Sequence, residues 1–139
     1  GLLSGVLAWW FSWQFLPGGG LAPDALVAMN QPSLDRFLGK LKAGGTLYVN
    51  SSIVTGEIDR SDIIVVRVPV SDLAFQLGNA KVLNIIMLGV YIGFSQVLPP
   101  EVIWSAVEHK FASKPKILTL NRKAFEEGLH IGAKIRKKK

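Results

Sequence analysis

Between residues 24 and 69, apolar residues form three short runs separated by polar or glycine-rich sequence. The runs cover residues 25–29, 46–49 and 63–68. The second is rich in β-branched and aromatic residues and the third is almost continuously apolar, as expected of strands covered on both faces. Behind Pro32, apolar positions recur at three- and four-residue spacing up to Gly44, which predicts a helix between the first two strands. This order of elements indicates a parallel sheet with crossover helices.

Beyond residue 70 the apolar residues follow helical spacing. Four helices are predicted, at about residues 72–77, 83–94, 100–111 and 118–131. The second is apolar on nearly all sides, which predicts a position in the interior or in a subunit interface. The third is expected to bury Val102, Ile103, Ala106 and Val107. We therefore predict one α/β domain over residues 1–139, with a Rossmann-like layered fold, a mainly parallel sheet flanked by helices, and C-terminal helices.

Residues 1–23 carry no charged side chain, and residues 1–16 form an apolar run that includes Trp9, Trp10 and Trp13. A membrane anchor is one explanation, but the run is shorter than the roughly 20 residues that cross a bilayer, and it has no cationic flank. We therefore expect no membrane segment. Gly18–Gly20 lacks the spacing of a phosphate-binding loop and is predicted to form a turn.

The net charge of +6 is concentrated in one short segment. Its cations are Lys134, Arg136, Lys137, Lys138 and Lys139, which leaves the rest of the chain at +1. Nucleic-acid binding needs cations spread along a face, so no nucleic-acid partner is predicted. We expect residues 134–139 to form a flexible basic tail; an arm for RNA or acidic lipid and a partner-docking tail are the alternatives.

The residue types exclude several kinds of catalysis. Because the sequence contains no cysteine, a thiolate nucleophile and a cysteine-held metal or cluster are excluded for this chain. His109 and His130 have no metal-ligand spacing and are expected at the surface or at helix ends. Ser51 and Ser52 have no histidine beside them in sequence. No catalytic residue and no metal site is predicted.

Polar residues follow the first two predicted strands. They are Asn30, Gln31, Asn50, Ser51 and Ser52. The carboxyl ends of parallel strands meet at one edge of a sheet, where ligands usually bind, so these residues are candidates for cofactor binding. The alternative is that they cap helices and close turns, since their side chains bond readily to nearby backbone amides.

Five segments together resemble the gamma subunit, or gamma domain, of the 2-oxoacid:ferredoxin oxidoreductases. They are residues 28–34, 44–52, 63–69, 78–79 and 83–90. The resemblance implies a subunit of a cytoplasmic complex that carries out coenzyme A-dependent oxidative decarboxylation of pyruvate, 2-oxoglutarate or a branched-chain 2-oxoacid. It implies a role in assembly and active-site support, without catalysis by this chain alone.

The same resemblance implies the cofactors and partners. Thiamine diphosphate, iron–sulfur clusters and coenzyme A belong to the complex, with none bound by this chain alone; the partners are alpha, beta and delta-type subunits, with ferredoxin reached through the complex. Segment match adds Gly78, Asn79 and Asn84 to the candidate cofactor-binding residues. The alternative for Asn84 is a helix cap or a buried residue that needs a hydrogen-bond partner.

Residues 1–23 depart from the family pattern. The family's glycine-rich turn, its Ser-Tyr-Gly-Pro-Glu segment and its Arg-Gly-Gly motif are absent. Residues 1–8 look like the last glycine of the first motif and the helix after it. This part is predicted to be fragmentary or gapped, either through truncation or divergence, or because residues are missing between Ala8 and Pro23. The alternative functions are a stand-alone nucleotide- or coenzyme A-binding module and a membrane-associated interaction protein.

Overall fold

A computed structural model describes residues 23–139 of the protein. Their contacts divide the chain into two compact units, one that ends at Pro69 and one formed by Val70–Lys139. The predictions made for residues 1–22, including the apolar run, the glycine turn and the missing residues, lie outside the described part. The single domain predicted for residues 1–139 stays a prediction.

The first unit contains a parallel sheet of three strands. They are β1 (Ala25–Ala28), β2 (Thr46–Asn50) and β3 (Ile64–Val68), in the spatial order β1-β2-β3. Ala28 is level with Val49, and Asn50 with Val68, so the three carboxyl ends reach the same edge. The predicted α/β fold class with a parallel sheet is confirmed.

Helix α1 (Gln31–Phe37) makes the crossover between β1 and β2. It begins where Asn30 caps it and continues as a 3-10 turn, Leu38–Lys40. Leu41 then adopts extended backbone, which explains why the helix stops before the predicted end at Gly44. Residues of α1 and the sheet share one apolar core, formed by Leu26, Ala28, Leu34, Phe37, Leu41, Leu47, Val49 and Val54.

Arg60 holds the long connection between β2 and β3 in place. Its Nη1 donates to the carbonyl oxygens of Leu38 at 2.9 Å and Leu41 at 2.6 Å. Its Nε and Nη2 donate to the two carboxylate oxygens of Asp62, at 2.9 and 2.6 Å. This bidentate hydrogen bond lowers the pKa of Asp62 and raises that of Arg60. The guanidinium thus ties the connection to the end of the crossover helix.

The second unit is helical. Its helices are α2 (Val70–Gln76), α3 (Leu83–Ser95), α4 (Pro100–Lys110) and α5 (Pro115–Lys138), with a 3-10 turn at Ala80–Val82. Four helices were predicted here. Helix α3 buries residues on several sides, among them Ile86, Val90 and Phe94, which confirms the expected interior position.

The inner face of α4 differs from the predicted one. Val102 is 55% exposed and Ala106 is also exposed, whereas Trp104 and Val107 are buried. The Trp104 ring stacks on Phe125 of α5, with ring centroids 5.8 Å apart. Burying the large indole removes more apolar area from water than burying Val102 and Ala106 would, so the helix is rotated toward the tryptophan.

Helix α5 is longer than predicted. Pro115 lies in its first turn and does not interrupt it, because the ring occupies a position where a backbone donor is not needed. The helix continues through residues 134–138, where a flexible basic tail was expected. Arg136 donates to the carbonyl oxygen of Phe94 at 2.5 Å, and cations near a helix C-terminus stabilise it.

Helices α3 and α5 touch backbone to backbone through two pairs of glycines. Gly89 and Gly93 lie four residues apart on α3, and Gly128 and Gly132 do so on α5. A Cβ atom added at Gly128 would overlap the carbonyl oxygen of Ile86 and lie 2.9 Å from the Cα of Gly89. No methyl group fits there, because the obstacle on each side is main chain. The two helices can therefore come this close only with glycine at the contact.

We expect Gly128→Ala to lower the free energy of unfolding by about 3 kcal/mol, the upper end of the range for overpacking, because backbone cannot move aside as a side chain can. Denaturant unfolding followed by circular dichroism measures the change. Gly39→Ala is the matched control, since nothing lies within 4 Å of an added Cβ at that glycine. An unchanged midpoint for Gly128→Ala would contradict the helix contact described here.

Acid should weaken the Arg60–Asp62 contact. Because the folded-state pKa of Asp62 is lowered below its ordinary value of about 3.9, the contribution of the contact to stability is complete above that pH and is lost as the pH falls through the folded value. Asp62→Asn should therefore unfold earlier in denaturant than wild type at pH 7, with a difference that shrinks toward pH 2. The exposed Glu57 on the same connection provides the control variant Glu57→Gln, for which no such convergence is expected.

Candidate functional site

Asn50 lies at the centre of the carboxyl edge of the sheet. It is the last residue of β2 and only 1% exposed. Its Nδ2 donates to the carbonyl oxygen of Met29 at 3.4 Å, and its Oδ1 accepts from the backbone amide of Ser52 at 3.2 Å. The side chain therefore joins the end of β1 to the turn that follows β2.

The turn after β2 is held by main-chain hydrogen bonds. Ser51 N donates to the carbonyl oxygen of Val68 at 3.0 Å, which extends the pairing of β2 and β3 by one residue. The carbonyl oxygen of Asn50 accepts from the amides of Ile53 at 3.2 Å and Val54 at 2.9 Å. Ser51 and Ser52 are half-buried in this turn. Two residues that carry hydroxyl groups thus follow Asn50 in this turn.

Asn30 and Gln31 are engaged with helix α1. The Asn30 side chain is half-buried and accepts from the amide of Ser33 at 2.9 Å, so the helix-cap explanation is confirmed for this residue. Gln31 is exposed, and its Nε2 donates to Asp35 Oδ1 at 2.8 Å. Both residues follow β1 directly, and the structure brings them to the same sheet edge as Asn50, Ser51 and Ser52.

The other three candidates belong to the helical unit. Gly78 follows α2 with φ of +95°, a conformation that favours glycine, and Asn79 Oδ1 accepts from Lys81 N at 2.9 Å to cap the next 3-10 turn. Asn84 lies in the first turn of α3. Its Oδ1 is buried and has no hydrogen-bond partner within residues 23–139. The expectation that a polar group there needs a partner is therefore not met inside the described chain.

Arg67 was missed among the candidates. It lies one residue before the end of β3, is exposed, and its Nη2 donates to the carbonyl oxygen of Gly56 at 3.3 Å. A guanidinium at this edge is suited to an anionic group, because its donors match carboxylate or phosphate oxygens in pairs. The signal in the sequence was a charged residue inside an otherwise apolar strand.

This edge offers groups that bind and orient a ligand. The amides and hydroxyls of this edge donate and accept hydrogen bonds and the guanidinium donates them, but such groups do not supply a general base. Within residues 23–139, no group of three or more histidine, cysteine, aspartate or glutamate residues is placed to hold a metal ion. His109 and His130 are exposed on α4 and α5, as predicted. None of the helices in that range is long and apolar enough to cross a membrane.

Comparison with known proteins places these features in a family. Residues 19–131 match the family model described as pyruvate ferredoxin/flavodoxin oxidoreductase. The chain is 35% identical over 107 residues to the ketoisovalerate oxidoreductase subunit VorA of Methanothermobacter thermautotrophicus, a match that covers 76% of this chain and 22% of VorA. It therefore spans about a fifth of the length of that relative.

Two solved structures share the fold. The gamma subunit of a keto/oxoacid ferredoxin oxidoreductase from Geobacter sulfurreducens matches with a TM-score of 0.73 and 29% identity, over 79% of this chain and 64% of that one. A 2-oxoglutarate:ferredoxin oxidoreductase from Magnetococcus marinus, solved with 2-oxoglutarate, coenzyme A and succinyl-CoA, matches with a TM-score of 0.71 and 18% identity, over 81% of this chain and 21% of that one. Family model, relative and gamma-subunit structure agree, and this chain belongs to the pyruvate ferredoxin/flavodoxin oxidoreductase family.

Proposed function

We propose that the protein acts as the gamma part of a 2-oxoacid:ferredoxin oxidoreductase, in the coenzyme A-dependent oxidative decarboxylation of pyruvate, 2-oxoglutarate or a branched-chain 2-oxoacid. The similarity to the Geobacter gamma subunit in both fold and sequence carries the proposal. Thiamine diphosphate and iron–sulfur clusters belong to alpha, beta and delta-type subunits of a cytoplasmic complex, which passes electrons to ferredoxin. The contribution of this chain is assembly and support of the active site.

The chemistry of the sheet edge favours support over catalysis. Asn50 and Asn30 direct their side chains to backbone groups, and Ser51 and Ser52 stand in a turn that those bonds shape. Decarboxylation of a 2-oxoacid needs an electron sink, and oxidation needs an electron carrier. Neither the amides nor the hydroxyls of this edge can act as one. We assign both roles to cofactors held by the sister subunits.

Coenzyme A is the ligand that we assign to this edge. The Magnetococcus relative binds it, and its amide and phosphate groups fit a surface of amides, hydroxyls and a guanidinium. The proposed contact residues at this edge are Asn30, Gln31, Asn50, Ser51 and Ser52, with Arg67 as an added anion contact. Gly78, Asn79 and Asn84 of the helical unit remain proposed cofactor-binding residues in their own right. A buried acceptor without a donor costs about 1–3 kcal/mol, so a ligand or partner that donates to Asn84 would recover that free energy.

The first test is assembly. The tagged chain, produced together with its sister subunits, should co-purify with thiamine diphosphate- and cluster-binding polypeptides. That complex should reduce ferredoxin or a viologen dye only when a 2-oxoacid and coenzyme A are both present, and the isolated chain should show no such activity. A chain that binds coenzyme A or an adenine nucleotide tightly by itself, and that leaves the sister subunits fully active when removed, is instead a stand-alone binding module.

The second test is the anion contact. In the active complex, Arg67→Ala should raise the KM for coenzyme A about 3- to 10-fold, which is the loss expected for one charge-assisted hydrogen bond. The KM for the 2-oxoacid should not change. Lys42→Ala is the matched control: Lys42 is also an exposed cation of this unit, and it pairs with Asp24 at 3.7 Å before β1 and away from the carboxyl edge. Equal effects of the two variants on the KM for coenzyme A would rule out the Arg67 contact.

A further inference from the structure

The helical unit presents an apolar groove that its own side chains leave open. The groove has a volume of about 480 Å³ and lies where the end of α3, the loop after it and the middle of α5 meet. Its lining includes Ile92, Gly93, Val97, Leu98, Leu129 and Ala133. Val97 is 57% exposed and Leu98 is 46% exposed, so two branched aliphatic side chains stand at its rim in contact with water. Apolar groups in such a position favour association with another surface.

A cluster of cations adjoins this groove. Arg136 and Lys137 follow Ala133 on α5 by three and four residues, which puts them on the same face of the helix one turn further on. Arg136 is fixed against the last turn of α3 by its bond to the carbonyl oxygen of Phe94. Lys134 lies on the same stretch and is exposed. The apolar lining therefore continues into a positively charged surface.

The positive charge of the helical unit is larger than the C-terminus of α5 needs for its stabilisation. Residues 70–139 contain eleven lysines and arginines against five acidic residues, a net charge of +6, whereas residues 23–69 contain five of each. A helix C-terminus behaves as about half a negative charge, which one cation offsets. The remaining cations raise the free energy of the folded unit through mutual repulsion, and an external negative surface would relieve it.

The lining distinguishes among possible occupants. A second copy of this chain would bring the same positive charge to the contact and be repelled. A small molecule needs several placed polar groups, and within the described lining Gln96 supplies the one polar side chain. A membrane surface is bound by protruding apolar and aromatic side chains, whereas this lining is concave and contains no aromatic residue. An acidic polypeptide with exposed apolar side chains satisfies both the groove and the cations.

We propose that this groove, together with Lys134, Arg136 and Lys137, docks an acidic, partly apolar segment of a sister subunit. The inference rests on the proposed function and adds to it the place and the chemistry of one subunit contact. Aliphatic side chains of the partner fill the space between Val97 and Ala133. Carboxylates of the partner form ion pairs with the cations on the last turns of α5. The positions of the groove and the cations together determine the direction in which the partner segment lies.

The absence of cysteine from the sequence makes a direct test available. Val97→Cys gives the chain a single thiol, which is labelled with a benzophenone maleimide before assembly with the sister subunits and irradiation. The cross-linked partner peptide, identified by mass spectrometry, should carry net negative charge and aliphatic residues. Ser113→Cys, exposed between α4 and α5 and outside the groove lining, is the control and should not give this cross-link.

Each other outcome overturns the inference. An intact, active complex in which Val97→Cys does not cross-link, or cross-links to a neutral or basic segment, a second copy of the chain or a lipid, shows that this groove is not an acidic docking site, while the proposed function stands. Failure of the wild-type chain to join any complex overturns the proposed function, and this inference with it.

A double variant with reversed charges measures the electrostatic contribution to docking. Lys134→Glu/Lys137→Glu should weaken binding to the remaining subunits at least tenfold at 0.1 M salt, with a smaller loss at 0.5 M because screening shortens the reach of the charges. Lys114→Glu/Lys116→Glu changes the net charge equally at the other end of α5 and should alter binding less than twofold. Equal losses for the two pairs would show that net charge alone attracts the partner, and would refute docking at the groove.

Discussion

The close contact of α3 and α5 determines the rest of the helical unit. Four glycines let two main chains approach until no Cβ atom fits between them, and this distance sets where every other residue of the pair lies. Phe125, next to the contact, is fully buried and supports Trp104 of α4. Gly93 belongs both to this contact and to the lining of the groove, where it and Ala133 contribute little volume. The same glycine thus permits the close contact and leaves space in the groove.

In the strand-containing unit, the side-chain amide of Asn50 holds neighbouring segments together, as the glycine contact does in the helical unit. Asn50 is nearly inaccessible, yet its two polar atoms bond to the end of β1 and to the turn after β2. A buried asparagine is stable only with such partners, and these partners are backbone segments at the carboxyl edge of the sheet. The residue therefore shapes the edge of the sheet. Exposed neighbours such as Gln31 and Arg67 provide the groups that reach outward.

Much of this architecture could be predicted because the physical signals are local. Runs of β-branched residues identified the strands, and helical spacing identified the helices after residue 70. The features that were not predicted depend on contacts with residues distant in sequence. The rotation of α4 is decided by the ring of Phe125, and the helical state of residues 134–138 is supported by a carbonyl group 42 residues away. The glycine contact was not predicted either, because glycine destabilises an isolated helix. Its role becomes evident only when a second helix lies against it.

The candidate site divides in the same way. The sheet edge and its amide and hydroxyl residues follow from strand order alone, so Asn30, Gln31, Asn50, Ser51 and Ser52 could be placed before the structure was known. Whether each side chain serves the fold or a ligand depends on distances that the sequence does not contain. The interlocked glycines also have a mechanical consequence. A change of register would place residues that carry a Cβ atom against main chain that leaves room only for glycine, so the two helices cannot slide past one another. A displacement of the loop that follows Ser95 would therefore move α3 and α5 together, as one body.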